Sequence, residues 1–225
     1  MMLLGTGAVA EKTYVDNVFS TYVYKGTGAS KTITNGIDLS ASGGGLVWVK
    51  NRSAGWNHTW IDTVRGANKA IYCDGTFAEV THTTALTSFN NNGFTVGDSD
   101  YTNKDDDNQV AYTFKKQAGF FDCVKYSGND GTAFNVSHSL GVKPGAVLIK
   151  GIDETSAWYW WSKGLATANK YFKFDEKGEL QTGTTYALGA NLTSTTFEVP
   201  TGGQVNGSSD KEYIAYLWAD GDESA

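Results

Sequence analysis

The two halves of this chain carry the same ordered series of strand-forming segments, and this internal repeat constrains the fold more than any other feature. An aromatic segment ending in a glycine turn opens each half, residues 18–26 in the first and 120–128 in the second, with Tyr24 answering Tyr126 and Gly26 answering Gly128. A short alternating segment follows, residues 31–36 against 135–139. Next is an unbroken apolar run closed by lysine, Leu46-Val47-Trp48-Val49-Lys50 against Ala146-Val147-Leu148-Ile149-Lys150. Tryptophan-rich segments (56–62, 157–161), a pair at 68–72 and 169–174, and two closing segments (94–97 and 109–114, against 197–200 and 213–218) complete the series. Lys50 and Lys150 stand 100 positions apart and Ala111 and Ala215 stand 104 apart, the slow drift of a duplicated unit whose insertions sit in loops.

These segments are short and are bounded by Gly, Asn, Asp and Ser. With 27 glycines and only 2 prolines, that pattern predicts many strands joined by tight turns and no long helix. The fold class expected is all-β, two tandem antiparallel β-sandwich (jelly-roll-like) domains related by internal duplication. Residues 1–17 read as an N-terminal attachment arm, 18–116 as the first sandwich and 119–225 as the second, with the polar joint Lys115-Lys116-Gln117-Ala118-Gly119 at the boundary. The apolar runs suit strands buried on both faces. The closing segment Val110-Ala111-Tyr112-Thr113-Phe114 alternates as a half-buried antiparallel strand does.

A formal charge of −6, with the positive residues scattered, argues against a nucleic-acid partner, which needs a clustered basic surface. The opening Met1-Met2-Leu3-Leu4-Gly5-Thr6-Gly7 has no cationic start and its apolar run is short, so neither secretion nor a membrane partner is expected. Cys73 and Cys123 fall at non-equivalent places and read as buried free thiols.

Four chemistries merit weighing. Asp98, Asp100, Asn103, Asp105 and Asp107 concentrate oxygen ligands in one loop, and Ca²⁺ asks for six to eight; yet the turn glycine and closing glutamate of an EF-hand are missing, so a solvated rim loop is the simpler reading. No other cofactor is indicated. Alternation places Trp56, His58 and Trp60 on one face of their strand, and Trp158 and Trp160 on one face of theirs. Such faces either pack in a core or subunit interface or, if exposed, stack on sugar rings. Glu79, Glu154, Glu198 and Glu212 sit in no glycosidase frame, and His58, His82 and His138 have no nucleophile elbow to serve, so no catalytic residue is assigned and the chain reads as a non-enzyme. Ser42-Gly43-Gly44-Gly45 lacks the Lys-Ser/Thr of a phosphate loop.

Several segments carry a family likeness: Gly45-Leu46-Val47-Trp48-Val49-Lys50-Asn51-Arg52, Asp62-Thr63-Val64-Arg65-Gly66, residues 88–97 and Val110-Ala111-Tyr112 in the first half, with Tyr126-Ser127-Gly128, residues 136–144 and 213–217 in the second. On these the chain resembles a repeat of tailed-phage virion surface and tail-fibre proteins, of the marine cyanophage type. The second half departs from the pattern, having Ser162-Lys163-Gly164-Leu165 in place of Asp-Thr-Val-Arg-Gly. The resemblance implies a bacteriophage virion structural protein on the particle surface or tail, other virion proteins as partners, and a homo-oligomer with a trimer favoured. Tail fibre or tail appendage is the first expectation and capsid decoration the second. Thr13, Tyr14 and Val15 would be the assembly arm, adding to another subunit's sheet edge. The rival is a carbohydrate-binding module reading host-surface glycan through the tryptophan strands or the acidic loop.

Overall fold

The structure is a computed structural model that describes residues 14–40, 43–165, 167–175 and 179–221. In the first half lie β1 (Phe19–Lys25), β2 (Lys31–Thr34), β3 (Gly45–Asn51), β4 (Thr59–Asp62), β5 (Lys69–Tyr72), β6 (Val80–Thr81), β7 (Ser88–Asn90), β8 (Gly93–Val96) and β9 (Asn108–Lys115). A single helical turn, α1 (Asp100–Asn103), precedes β9. The second half has β10 (Phe121–Ser127), β11 (Phe134–Ser137), β12 (Pro144–Gly151), β13 (Trp158–Ser162), β14 (Lys170–Lys173), β15 (Gln181–Thr182), β16 (Thr196–Val199) and β17 (Glu212–Ala219). The chain is thus nearly all β.

Strand order repeats between the halves. The large sheets run β1-β9-β3-β4-β5-β6 and β10-β17-β12-β13-β14-β15, and the small ones β2-β8-β7 and β11-β16. Register repeats as well: Trp48 lies opposite Trp60 and Tyr112, while Leu148 lies opposite Trp160 and Tyr216. In place of β7 the second half has one bridge, Leu192 to Phe197.

Three apolar clusters order these sheets into layers. Val47, Val49, Ile61 and Ala111 of the first large sheet meet Ile33, Phe94 and Val96 of its small sheet. In the second half Val147, Ile149, Ala215 and Leu217 meet Val136, Phe197 and Val199. The third cluster joins the halves: Leu46, Trp60, Ile71 and Cys73 pack on Phe121, Cys123, Leu148, Trp158, Ile214 and Tyr216. The two large sheets therefore lie face to face, small sheets outermost, along a seam that the repeat did not announce. Burying side chains as large as Trp158 and Tyr216 completely is worth roughly 1.5–3 kcal/mol each.

The seam adds cover that alternation alone does not specify. β9 keeps the expected alternation, with Ala111 and Thr113 buried and Tyr112 and Phe114 half-buried, and the seam gives its outer face partial cover because Phe114 packs against the other half. β3 and β12 are buried on both faces as expected, with Leu46 and Leu148 pointing into the seam rather than into their own half's core.

The joint between the halves is tied down. Lys116 Nζ pairs with the buried Asp122 at 2.9 Å and donates to the Cys123 carbonyl, and Gly119 N–H donates to the Leu140 carbonyl. Ahead of β1, Val15–Asn17 forms a 3₁₀ turn rather than a strand, with Tyr14 and Val15 exposed; Thr13 lies outside the described residues.

Candidate functional site

The Asp62-Thr63-Val64-Arg65-Gly66 segment is where charge enters the seam. The turn after β4 lets Asp62 Oδ1 accept the backbone N–H groups of Val64 and Arg65, at 3.0 and 2.9 Å. Its other oxygen accepts Arg65 Nε at 2.6 Å and the Tyr216 hydroxyl at 2.7 Å. Arg65 then donates to the Trp60 carbonyl and reaches Glu79 at 3.3 Å, and the side chains of both Asp62 and Arg65 are buried. Burial opposes the guanidinium charge, but Asp62 overcomes it, and the Arg65 pKa stands above its ordinary value. Around this pair the halves exchange direct hydrogen bonds. Glu79 N–H donates to the Ile152 carbonyl, Ser156 N–H to that of Thr76, and Trp158 Nε1 to those of Tyr72 and Gly75. The motif present in one half only is thus a fastening between the two.

A second polar feature occurs in both halves. Asn103 Oδ1 accepts Thr27 N–H at 3.0 Å while its amide nitrogen donates to the Ala29 and Gly97 carbonyls. Asn206 Oδ1 accepts Asn129 N–H at 2.7 Å while its amide donates to the Thr132 and Pro200 carbonyls. Beside them Tyr24 donates to the Thr102 carbonyl and Tyr126 to that of Val205. The glycine turns have a reason here: a Cβ on Gly26 would meet the Lys104 carbonyl oxygen at 1.9 Å, and one on Gly128 that of Gly207 at 2.4 Å. Sequence reasoning passed over Asn103 and Asn206 as braces, although their equivalent placement 103 positions apart was a usable signal.

This bears on the calcium candidates. The side chain of Asn103 is spent on the brace and faces inward. Asp100 pairs with Lys104 at 3.0 Å and Asp107 accepts from the Asn51 amide at 2.8 Å, while Asp98 and Asp105 are exposed. Among the described residues no group of three or more His, Cys, Asp or Glu side chains is placed to hold a metal ion.

The tryptophan strands divide. Trp60 and Trp158 are buried in the seam with ring centres 5.4 Å apart, so neither offers a face to a sugar; packing claims them. Trp160 is half-buried beside Trp218. Trp56 and His58 precede β4 and are half-buried, and Trp56 lies at the rim next to the acidic loop. There its ring packs on Tyr101 at 5.0 Å, Tyr101 stacks on Tyr72 at 5.2 Å, and Lys104 Nζ stands 5.6 Å above the Trp56 ring. His82 meets Tyr101 edge-on, and burial holds the imidazoles of both His58 and His82 below their usual pKa. This rim cluster brings together one sequence candidate from the tryptophan strand and one stretch of the acidic loop, with Asp100 beside Lys104. It combines aromatic faces, a cation and a carboxylate at a half-exposed edge, the ingredients of stacking plus hydrogen bonding.

No curated protein sequence and no solved structure matches the chain. Over residues 15–222, a span running through both halves and the seam between them, the sequence matches one family, and the chain belongs to it: the domain of unknown function DUF7483.

Proposed function

We propose that this chain is a non-enzymatic bacteriophage virion structural protein, part of a tail fibre or tail appendage displayed on the particle, with capsid decoration the less favoured seat. On this reading the halves are two β-sandwich units related by duplication, a history supported by the matched strand order, the matched register at Trp48 and Leu148, and the paired Asn103 and Asn206 braces. The observation that carries the proposal is the seam. Its stacked sheets, buried Asp62–Arg65 pair and cross-half hydrogen bonds join the two units into one stiff body, which is what display requires. The exposed edge strand β1, with Tyr22 and Val23 uncovered, and the exposed Tyr14 and Val15 ahead of it support association of copies, since such edges are normally covered. A homo-oligomer, a trimer first, follows from this reading. Antibody raised against the chain and imaged on intact particles tests the proposal, with label on tails as the expected result; purified particles lacking the chain overturn it. Sedimentation of the chain at micromolar concentration tests the assembly, and a stable monomer overturns that part.

The rim cluster favours a second reading, recognition of a host-surface glycan. Trp56 and Tyr101 would stack on sugar rings while Lys104 and Asp100 take hydroxyl groups. Binding on a glycan array that persists with chelator and is lost in Trp56→Ala supports it. Chelator-sensitive binding shifts it to the exposed carboxylates of the acidic loop, and a blank array leaves display alone.

A further inference from the structure

One side of the seam is not closed. Trp48, Trp60 and Phe114 of the first half and Leu148, Trp160, Phe174 and Trp218 of the second enclose a cavity of about 220 Å³. Its walls are almost wholly aromatic: Trp48 lies 5.5 Å from Trp60, Trp160 lies 5.5 Å from Trp218 and 6.2 Å from Phe174, and Phe114 lies 6.2 Å from Trp218. Phe174, 44% exposed, marks the side that meets solvent, whereas Trp60 and Leu148 are buried. The halves differ at its wall, where the position held by Trp48 in one half is held by the smaller Leu148 in the other.

Two observations single this cavity out. Protein interiors are close-packed, and an apolar void of about 150 Å³ is already large enough to take up benzene. The indole N–H of Trp48, a lining residue, is buried without an acceptor, while that of Trp60 has only the weak sulfur acceptor of Cys73, and buried donors are normally paired. A ligand with a flat apolar face and an acceptor would answer both. Among the described residues no carboxylate lines the cavity, and unpaired donors do not attract a cation, which separates this arrangement from the aromatic cages that hold quaternary ammonium groups.

We propose that this cavity is a binding site for a small planar aromatic or heteroaromatic molecule of one or two fused rings that carries a hydrogen-bond acceptor, held between the two halves with its acceptor toward Trp48. The site draws residues from both halves, so it exists only in the assembled chain, and it does not depend on where the chain is displayed.

The test is titration of the full, ¹⁵N-labelled chain with quinoline, which has a ring-nitrogen acceptor, with naphthalene, which has the same shape and none, and with choline. The expected result is that quinoline moves the indole N–H resonances of Trp48 and Trp60, identified by their loss in Trp48→Phe and Trp60→Phe, and binds at least fivefold more tightly than naphthalene, while choline leaves them in place. Leu148→Phe fills the cavity and is expected to weaken quinoline at least tenfold with the spectrum otherwise preserved. Should that variant not fold, Phe174→Ala at the exposed side is expected to weaken binding severalfold. Equal binding of naphthalene, preferential binding of choline, shifts confined to other tryptophans such as Trp56, or indifference to the cavity variants would each overturn the proposal.

Discussion

The hydroxyl of Tyr216 donates to Asp62 Oδ2 at 2.7 Å across 154 residues of sequence, and the same oxygen holds Arg65 at 2.6 Å. Because this carboxylate balances a buried guanidinium, Asp62→Leu alone is expected to lower unfolding stability by about 3–5 kcal/mol, the usual consequence of stranding one member of a buried pair. Asp62→Leu combined with Arg65→Met should lose less than the single change, since no charge is then left unpaired. Tyr216→Phe removes one hydrogen bond to a charged group and should cost about 1.5–3 kcal/mol. Urea unfolding of the four proteins measures all three, and a double variant no better than the single one would locate the effect in the backbone turn instead.

Asn103 and Asn206 each turn an amide nitrogen toward two carbonyl oxygens, which a carboxylate cannot do. Asn103→Asp and Asn206→Asp are therefore expected to destabilise by at least about 2 kcal/mol, and by similar amounts in the two halves. Denaturant midpoints at neutral pH read the effect; an Asn103→Asp protein of unchanged midpoint would remove the brace from the account.

Lys150 carries a pH signature. Its ammonium is buried, donating to the Gly151 carbonyl at 2.6 Å and to Ser156 Oγ at 3.0 Å, and burial lowers its pKa to about 8 against the partial opposition of Asp175, Glu154 and Asp153. Between about pH 8 and 10.5 the unfolded chain binds the proton more fully than the folded one, so this group's contribution to stability rises with pH across that window. The penalty is fully present below pH 8. Lys150→Met should remove the slope, giving a gap between variant and parent that narrows by about 2–3 kcal/mol from pH 8 to 10. Urea unfolding at unit pH steps measures it, and parallel curves for the two proteins would contradict it.

Cys73 and Cys123 are free, buried in the seam, and raised in pKa chiefly by that burial. Neither should react with a disulfide reagent at pH 8 until the chain unfolds, because the reactive thiolate is both scarce and covered. Labelling with and without denaturant checks this, and reaction of the native chain would show that the seam opens.

Much of the strand plan was legible because period-two alternation and glycine turns are local properties. The apolar run of β3 read correctly as a strand covered on both sides, yet nothing in Leu46-Val47-Trp48-Val49 distinguishes cover by a strand's own small sheet from cover by the other half. The same ambiguity hid Trp60 and Trp158. Alternation gave the face each occupies, but what lies opposite is a long-range fact, here each other at 5.4 Å. In the acidic loop the residue types were plain and their partners were not: Asn103 turns inward to brace the Thr27 turn, and Asp107 is held by Asn51 of β3. Asp62 and Arg65 stood out only as a segment the second half lacks, since their partner Tyr216 belongs to the far end of the chain.

The position of β17 has a consequence during synthesis. It is the last of the described strands, yet it is inserted between β10 and β12 and carries Ile214 and Tyr216 to the seam. While the ribosome makes the second half, a finished first half holds Leu46, Trp60 and Ile71 toward water, for roughly 5–20 seconds at ordinary rates of translation. Neighbouring nascent chains on one message would present this sticky face to each other, so the yield of soluble protein should respond to translation speed and to holdase chaperones more than its final stability suggests.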